Sequence, residues 1–345
     1  MAQRVLVVTS GAHFVRGGHM VIAEQTVAAL RREGHEAELL VTPQNRFGRQ
    51  LSAYVATWLT DVGQTADGKP IDRIISFRFP SYAVRHPRHV CWLNHRMREY
   101  YDLWEHFVRG LGRRGQLKEW FRRRLFHSLD RRLLTREGTR VVAQSRTIQE
   151  RLRRFGGIGS EVVYPPAPER PYRTDAYGDY VFAVSRLHRL KRLDLLVEAA
   201  ARMKDRSLRF RIAGDGEERG RIEARVRELG LESRVELLGA VDEDELVRQY
   251  AGCRAVFFAP RAEDYGFVTL EAFSSGKAVI TTTDSGGPAE LVTHDVTGSV
   301  TPPDPATLAE QLDRLADASL AERMGAAALE QSKRFTWSGA VSGIM

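Results

Sequence analysis

The feature that most constrains this chain is an alternation of short apolar runs, glycine-bearing loops and segments with apolar residues at helical spacing. Arg4 to Thr9 is the first run. Gly17 and Gly18 then open a segment carrying Val21, Ile22, Val27, Ala28 and Leu30, Gly34 ends it, and Ala37 to Val41 is apolar again. Strand, loop, helix and strand in that order predict a parallel sheet with right-handed crossovers. Further strands are expected at Asp72 to Phe77, His89 to Leu93, Arg140 to Ala143 and Glu161 to Val163. A second series follows at Tyr180 to Ser185, Leu208 to Ala213, Arg234 to Leu238, Ala255 to Ala259 and Ala278 to Thr282. The proline-rich, polar stretch YPPAPERPYRTDAYGD between the two series reads as a linker. With 345 residues and roughly 100–200 residues per domain, the chain divides into an N-terminal domain over 1–165, a linker over 166–178 and a C-terminal domain over 179–335. Residues 336–345 read as the start of a crossover segment, and Leu308 to Lys333 as helical.

Composition narrows the class. A hydrophobic content of 43% with 28% charged residues suits a globular chain with ample core. No apolar run approaches the roughly 20 residues that span a bilayer. The N-terminus reads as a first strand rather than a signal peptide. Cys91 and Cys253 stand far apart, with neither disulfide nor zinc spacing, so the expectation is a cytoplasmic protein with reduced thiols. The net charge of +8 is uneven: residues 1–170 hold 29 Lys and Arg against 16 Asp and Glu, a net of +13. That asymmetry points to an anionic partner for one half.

Chemistry concentrates in RAVFFAPRAEDYGFVTLEAFSSG, Arg254 to Gly276. A buried strand ends, a loop carries Glu263 and Asp264, and a helix opens at Gly266 with Glu271 in its first or second turn. Ligands bind beyond the carboxyl ends of strands in open α/β sheets, and helix N-termini attract phosphate. Glu263 and Glu271, with seven residues between them, suit a nucleotide sugar, whose hydroxyls need acceptors and whose diphosphate needs donors. A solvated loop glutamate beside an unrelated cap glutamate would show the same spacing. Downstream, DSGGPAELV (Asp284 to Val292) is a second glycine-rich loop entering a helix.

The compound stretch EDYGFVTLEAFSSGKAVITTTDSGGPAELV resembles the donor-site signature of retaining GT-B glycosyltransferases, in particular glycosyltransferase family 4. The resemblance is strong over 180–300 and looser over 1–165. It implies a GT-B fold, two Rossmann-like domains with parallel sheets facing across a cleft, and transfer of a sugar from a nucleotide diphosphate donor. Arg186 and Lys191 match the family's Arg-Leu-x-x-x-Lys-Gly motif, with Arg192 in place of the glycine; the two cations would receive the leaving diphosphate. Backbone N–H groups near Gly266, Phe267 and Val268 would join them, Glu271 would hold the ribose, and Glu263 would bind the transferred sugar and place its anomeric carbon. The loop ending at Val241 would read the base, leaving UDP and GDP open. Gly17 and Gly18 would lie against the donor phosphate. His95, at the carboxyl end of its strand and before a helix expected from about Arg96, would line the acceptor side, although the proline that often follows such a histidine is missing. Pro168 stands where many relatives keep an acid and receives no role. Members of this kind work without a divalent ion, and no metal-ligand spacing is present.

Arg109 to Arg140 holds eleven basic residues against three acidic ones. Within it Leu117, Trp120, Phe121, Leu125, Phe126, Leu129 and Leu133 recur at helical intervals, with Arg122, Arg123 and Arg124 among them. A basic amphipathic helix bearing Trp and Phe suits an anionic membrane surface; packing of its apolar side on its own domain is the alternative. No nucleic-acid motif accompanies the charge. The acceptor is left open among a lipid-linked sugar, a polysaccharide end and a small metabolite. Two other functions fit the same residues: a nucleotide-sugar epimerase on the GT-B scaffold, or a non-catalytic protein that uses its basic face on membranes or polyanions.

Overall fold

The computed structural model describes residues 2–12 and 17–345. The chain forms two units, one of residues up to Pro165 together with Thr336–Met345, the other Pro166–Phe335. In the first unit, β1 (Arg4–Gly11), α1 (Gly18–Arg32), β2 (Glu36–Pro43), α2 (Gln50–Leu59), β3 (Arg73–Arg78) and β4 (His89–His95) are followed by α3 (Trp104–Arg109), α4 (Arg113–Leu134), β5 (Thr139–Ala143), α5 (Arg146–Gly156) and β6 (Glu161–Val162). The strands pair in the order β2-β1-β3-β4-β5-β6, all parallel.

The second unit runs β7 (Tyr180–Val184), α6 (Leu193–Arg202), β8 (Arg209–Ala213), α7 (Arg219–Glu228), β9 (Val235–Gly239), α8 (Glu243–Gly252), β10 (Ala255–Phe257), α9 (Phe267–Ser274), β11 (Val279–Thr282), α10 (Gly287–Leu291), β12 (Gly298–Thr301), α11 (Pro305–Arg314) and α12 (Ala318–Ser332). The last helix, α13 (Trp337–Ile344), belongs to the first unit, where Arg140 donates to the Gly343 carbonyl at 2.8 Å. The second sheet has the order β12-β11-β10-β7-β8-β9. Counted within the unit this is the doubly wound Rossmann order, with its reversal between the first and fourth strands.

Both sheets are covered on two faces, which is why their strands read as continuous apolar runs. In the second unit Val181, Phe210, Phe257 and Ile280 from the strands meet Leu196, Val197, Leu308 and Leu312 from the helices, all with almost no exposure.

Three sequence expectations are corrected. The helix foreseen from about Arg96 is a single turn over Arg98–Tyr100 and then the short α3. Tyr100 donates to Glu119 at 2.6 Å and Tyr101 to Asp130 at 2.5 Å, both acids lying on α4. The backbone leaves helical geometry at Tyr101 (φ −121°, ψ −105°), which ends the turn between the two tyrosines. The helix foreseen over Leu308 to Lys333 is two, α11 and α12, broken where Asp317 caps the Ser319 amide at 2.9 Å. Finally, α2, α8 and β12 form where no element was foreseen. The stretch read as a linker lies along the second unit: Thr174 donates to the Ser275 carbonyl and Tyr177 to the Gly276 carbonyl, each at 2.9 Å.

Candidate active site

In the second sheet the order reverses between β7 and β10, so the loops after these strands diverge and leave a crevice at their carboxyl ends. Arg186 and Lys191 follow β7; Glu263 and Gly266 follow β10. Tertiary structure joins one residue from each loop: Lys191 Nζ lies 2.7 Å from Glu263 Oε2, each side chain about a fifth exposed (23% and 22%). Lys191 also stands over the Phe258 ring, 5.6 Å from its centre.

The Glu263 loop is held by its neighbour. The Glu263 N–H donates to the Ser285 carbonyl at 2.8 Å and the Gly287 N–H to the Glu263 carbonyl at 3.0 Å. Gly286 makes this approach possible, since its φ is +73° and a β-carbon there would stand 2.3 Å from the Glu263 carbonyl oxygen. The Gly-Gly pair of the second glycine-rich loop therefore allows two backbones to zip together beneath Glu263.

Gly266 precedes α9 in a left-handed conformation (φ +82°, ψ +79°). The N–H groups of Phe267 and Val268 are the first of α9 and have no intrahelical acceptor by helix geometry. Together with the positive end of the helix they form a place for an anion.

Glu271 is buried in the second turn of α9 and is gripped from two sides. Arg170 Nη1 donates to its Oε1 at 2.6 Å and the Tyr250 hydroxyl to its Oε2 at 2.8 Å. Arg170 also donates to Glu243 at 2.7 Å and to the Tyr172 hydroxyl at 3.1 Å. Burial acts against the Arg170 charge, but Glu271, Tyr172 and Glu243 offset it and raise its pKa. Burial first, and the Glu271 charge second, raise the Tyr250 phenol far above its ordinary value. Arg170 had no signal in the sequence beyond being a base in a proline-rich stretch.

Arg186 is not drawn into the Lys191–Glu263 pair. Its side chain is 72% exposed and reaches Glu217 at 3.5 Å. Val241 sits half-buried two residues beyond β9. Arg192, at the position where the resemblance implies glycine, keeps a left-handed backbone (φ +51°). Its guanidinium donates to the carbonyls of Ala259 and Pro260 at 2.9 Å and to Asp284 at 2.8 and 2.9 Å. One residue thus ties the β7, β10 and β11 loops together, a role the sequence did not signal.

The first sheet reverses its order between β1 and β3. Gly17 stands at the N-cap of α1 and Gly18 is its first residue; residues 13–16, the middle of that loop, lie outside the described residues. His95 ends β4 directly beside Arg78 of β3. Arg78 Nη2 lies 3.0 Å from His95 Nε2, and Asn94 Oδ1 lies 2.5 Å from His95 Nδ1. The arginine can only donate, so Nε2 accepts and the proton sits on Nδ1, facing Asn94. Burial, and then the Arg78 charge, hold the His95 pKa well below the usual imidazole value. His19 on α1 is lowered to about 4 by the same two causes.

The surface set divides. Arg122 donates to Glu119 at 3.2 Å and to Gln50 at 2.5 Å, and Arg123 donates to the Tyr100 carbonyl at 2.8 Å. Both are turned onto their own unit, because α4 presents Glu119 and Asp130 inward on the same side. Arg124, Trp120 and Phe121 point outward.

A groove of about 660 Å³ lined by Arg4, Glu36, Asp61 and Lys69 opens at the amino ends of β1 and β2. It is remote from the strand ends where ligands bind in such sheets.

Two parallel six-stranded sheets, the second with a Rossmann order and an acid–base pair at its switch point, define the GT-B class of fold. Solved structures share it across the whole chain. Sucrose-phosphate synthase from Thermosynechococcus elongatus superposes with a TM-score of 0.77 at 18% identity, covering 99% of this chain and 97% of that one. HepE of Anabaena, solved with UDP and glucose, gives 0.72 at 21%, covering 98% of each. The family model for glycosyl transferases group 1 matches residues 171–331, nearly all of the second unit. Among curated relatives, the D-inositol 3-phosphate glycosyltransferase of Frankia alni is 30% identical over 205 residues, covering 55% of this chain and 50% of the relative. The alpha-1,3/1,6-mannosyltransferase ALG2 of Homo sapiens is 28% identical over 163 residues, covering 43% and 39%. The chain spans about half or less of the length of these relatives.

Proposed function

We propose that this chain is a retaining hexosyltransferase of the family 4 kind, moving a hexose such as mannose or glucose from a UDP- or GDP-sugar to a hydroxyl acceptor, lipid-linked or at a polysaccharide end. The observation that carries the reading is the Lys191–Glu263 pair at the switch point beside the start of α9. A diphosphate leaving group gains negative charge as its bond to the sugar breaks, and fixed cations and N–H dipoles lower the barrier by meeting it. Lys191 and the Phe267 and Val268 N–H groups take that role, with Arg186 as an exposed arm on the same loop.

Glu263, already held beside Lys191, accepts hydrogen bonds from the sugar hydroxyls and sets the anomeric carbon over the phosphate. Glu271, fixed by Arg170 and Tyr250, keeps lone pairs for the ribose hydroxyls. In the first unit, His95, neutral and with its Nδ1 proton facing Asn94, is the residue assigned to the acceptor. In the front-face version of the step, the bond from the anomeric carbon to the donor phosphate breaks and the bond to the acceptor oxygen forms on the same face. The leaving phosphate oxygen takes the acceptor's proton. A covalent sugar adduct on Glu263 would overturn this version in favour of double displacement.

The test is a thermal-shift panel of nucleotide sugars in the presence of a chelator. A donor at a hundred times its dissociation constant adds about 2.7 kcal/mol of stability. No shift with any UDP- or GDP-sugar would remove the reading, and an altered sugar from donor alone would replace transfer by epimerisation.

A further inference from the structure

Helix α4 separates its charges by side. Its two acids face inward: Glu119 is 7% exposed, and Asp130, fully buried, accepts hydrogen bonds from Tyr54, Tyr82 and Tyr101. The outward side carries Arg113, Arg114, Lys118, Arg124, Arg131 and Arg132, all exposed, and among the described residues none of the six has a carboxylate partner. Between them stand Leu117, Trp120, Phe121 and Leu125, with Leu117 at 59% and Phe121 at 60% exposure. Arg124 lies over the Trp120 ring at 4.9 Å.

A second helix extends this surface. Gln50 of α2 accepts from Arg122, and one turn on Tyr54 stacks on Phe126 at 5.7 Å. The two helices therefore meet through these side chains. No residue of α2 carries a charge, and its outward positions are Leu51, Val55, Trp58 and Leu59, the last 62% exposed. Arg85 covers the Trp58 ring at 4.3 Å. Apolar residues left open on two neighbouring helices exceed the scattered exposure normal on a protein surface.

We propose that the outward faces of α2 and α4 form a docking surface for an anionic lipid bilayer. Leucine and aromatic side chains enter the boundary between headgroups and acyl chains, and the arginines and lysine stay at headgroup level with their stems along the apolar strip. Charge complementarity selects the occupant, because six cations without carboxylate partners among the described residues, interleaved with aromatic rings, match an anionic lipid surface. No helix among the described residues is long and apolar enough to cross a membrane, so the contact is to one leaflet. This inference is independent of the donor site: loss of either reading leaves the other intact.

The test is co-sedimentation of the full chain with vesicles of phosphatidylcholine alone or mixed with phosphatidylglycerol, over a salt series. The chain should sediment with the anionic vesicles and be released as salt rises. Arg124→Gln and Arg131→Gln should each lower the partition coefficient about fivefold. Trp120→Ala combined with Phe121→Ala should abolish binding, while circular dichroism and nucleotide-sugar binding stay unchanged, since all four residues are exposed. Absence of sedimentation, or equal binding to neutral vesicles, would overturn the proposal. So would a dimer in sedimentation velocity that dissociates on the Phe121 change, which would assign the face to a second copy of the chain.

Discussion

Lys191 and Glu263 lie 72 residues apart in the chain and 2.7 Å apart in space, one on each side of the strand-order reversal in the second sheet. In the absence of donor each satisfies the other, so both are already positioned when a sugar diphosphate arrives. At about a fifth exposure the pair lies between a surface ion pair, worth about 1 kcal/mol or less, and a buried one. Lys191→Ala should therefore lower the melting temperature by a few degrees while lowering kcat about 10²- to 10³-fold. Glu263→Gln should act mainly through sugar positioning. Release of nucleoside diphosphate from the donor measures both, and an active Lys191→Ala enzyme would contradict the role given to the pair.

Arg170 and Glu271 should behave in the opposite way, as a stability pair, with side chains 14% and 9% exposed. Removing one partner of a buried ion pair costs about 3–5 kcal/mol, because a charge is left inside without compensation. Arg170→Met is expected to fall in that range by urea denaturation. The double change Arg170→Met with Glu271→Gln should recover part of the loss, as interacting sites are non-additive.

Gly266→Ala tests the entry to α9. The position has φ +82°, and a β-carbon would stand 2.6 Å from the Phe258 ring. Strain of this kind costs about 1–3 kcal/mol. Relief would move the Phe267 and Val268 N–H groups, so calorimetry with UDP or GDP should show weaker binding alongside a lower melting temperature.

His89 gives a pH dependence with a defined sign. The ring is fully buried between Ser76 at 2.7 Å and Arg136 at 2.9 Å. Burial, and then the Arg136 charge, lower its pKa from 6.5 to about 3. The unfolded chain takes up this proton below pH 6.5 and the folded chain refuses it, so stability is full above 6.5 and is lost as pH falls toward 3. The slope reaches about 1.4 kcal/mol per pH unit for one histidine. Urea titrations across that window should be flatter for His89→Gln than for the parent chain.

Much of the fold was legible because buried parallel strands announce themselves. The expected runs match β1 to β11 with shifts of a residue or two, since an apolar segment closed by polar or glycine positions has few other uses. Helix α2 escaped because QLSAYVATWL keeps its apolar residues outside as well as inside, which blurs the periodicity. The apolar positions of α4 were legible, but their division into an inward set around Phe126 and an outward set around Phe121 was not. Both sets have helical spacing, and only the position of the neighbouring helix tells them apart.

The sequence by itself determined the two α/β series, the loops that carry Glu263, Glu271, Lys191 and Gly266, and the excess of cations between 109 and 140. Tertiary structure alone decided which of these meet. It joined Lys191 to Glu263 while leaving Arg186 with Glu217, gave Glu271 to Arg170 and Tyr250, and set Arg192 as a tie across three loops. The physical reason is that spacing along a chain fixes only local geometry. Partners from distant segments are chosen by strand order, and strand order follows from how the whole core packs.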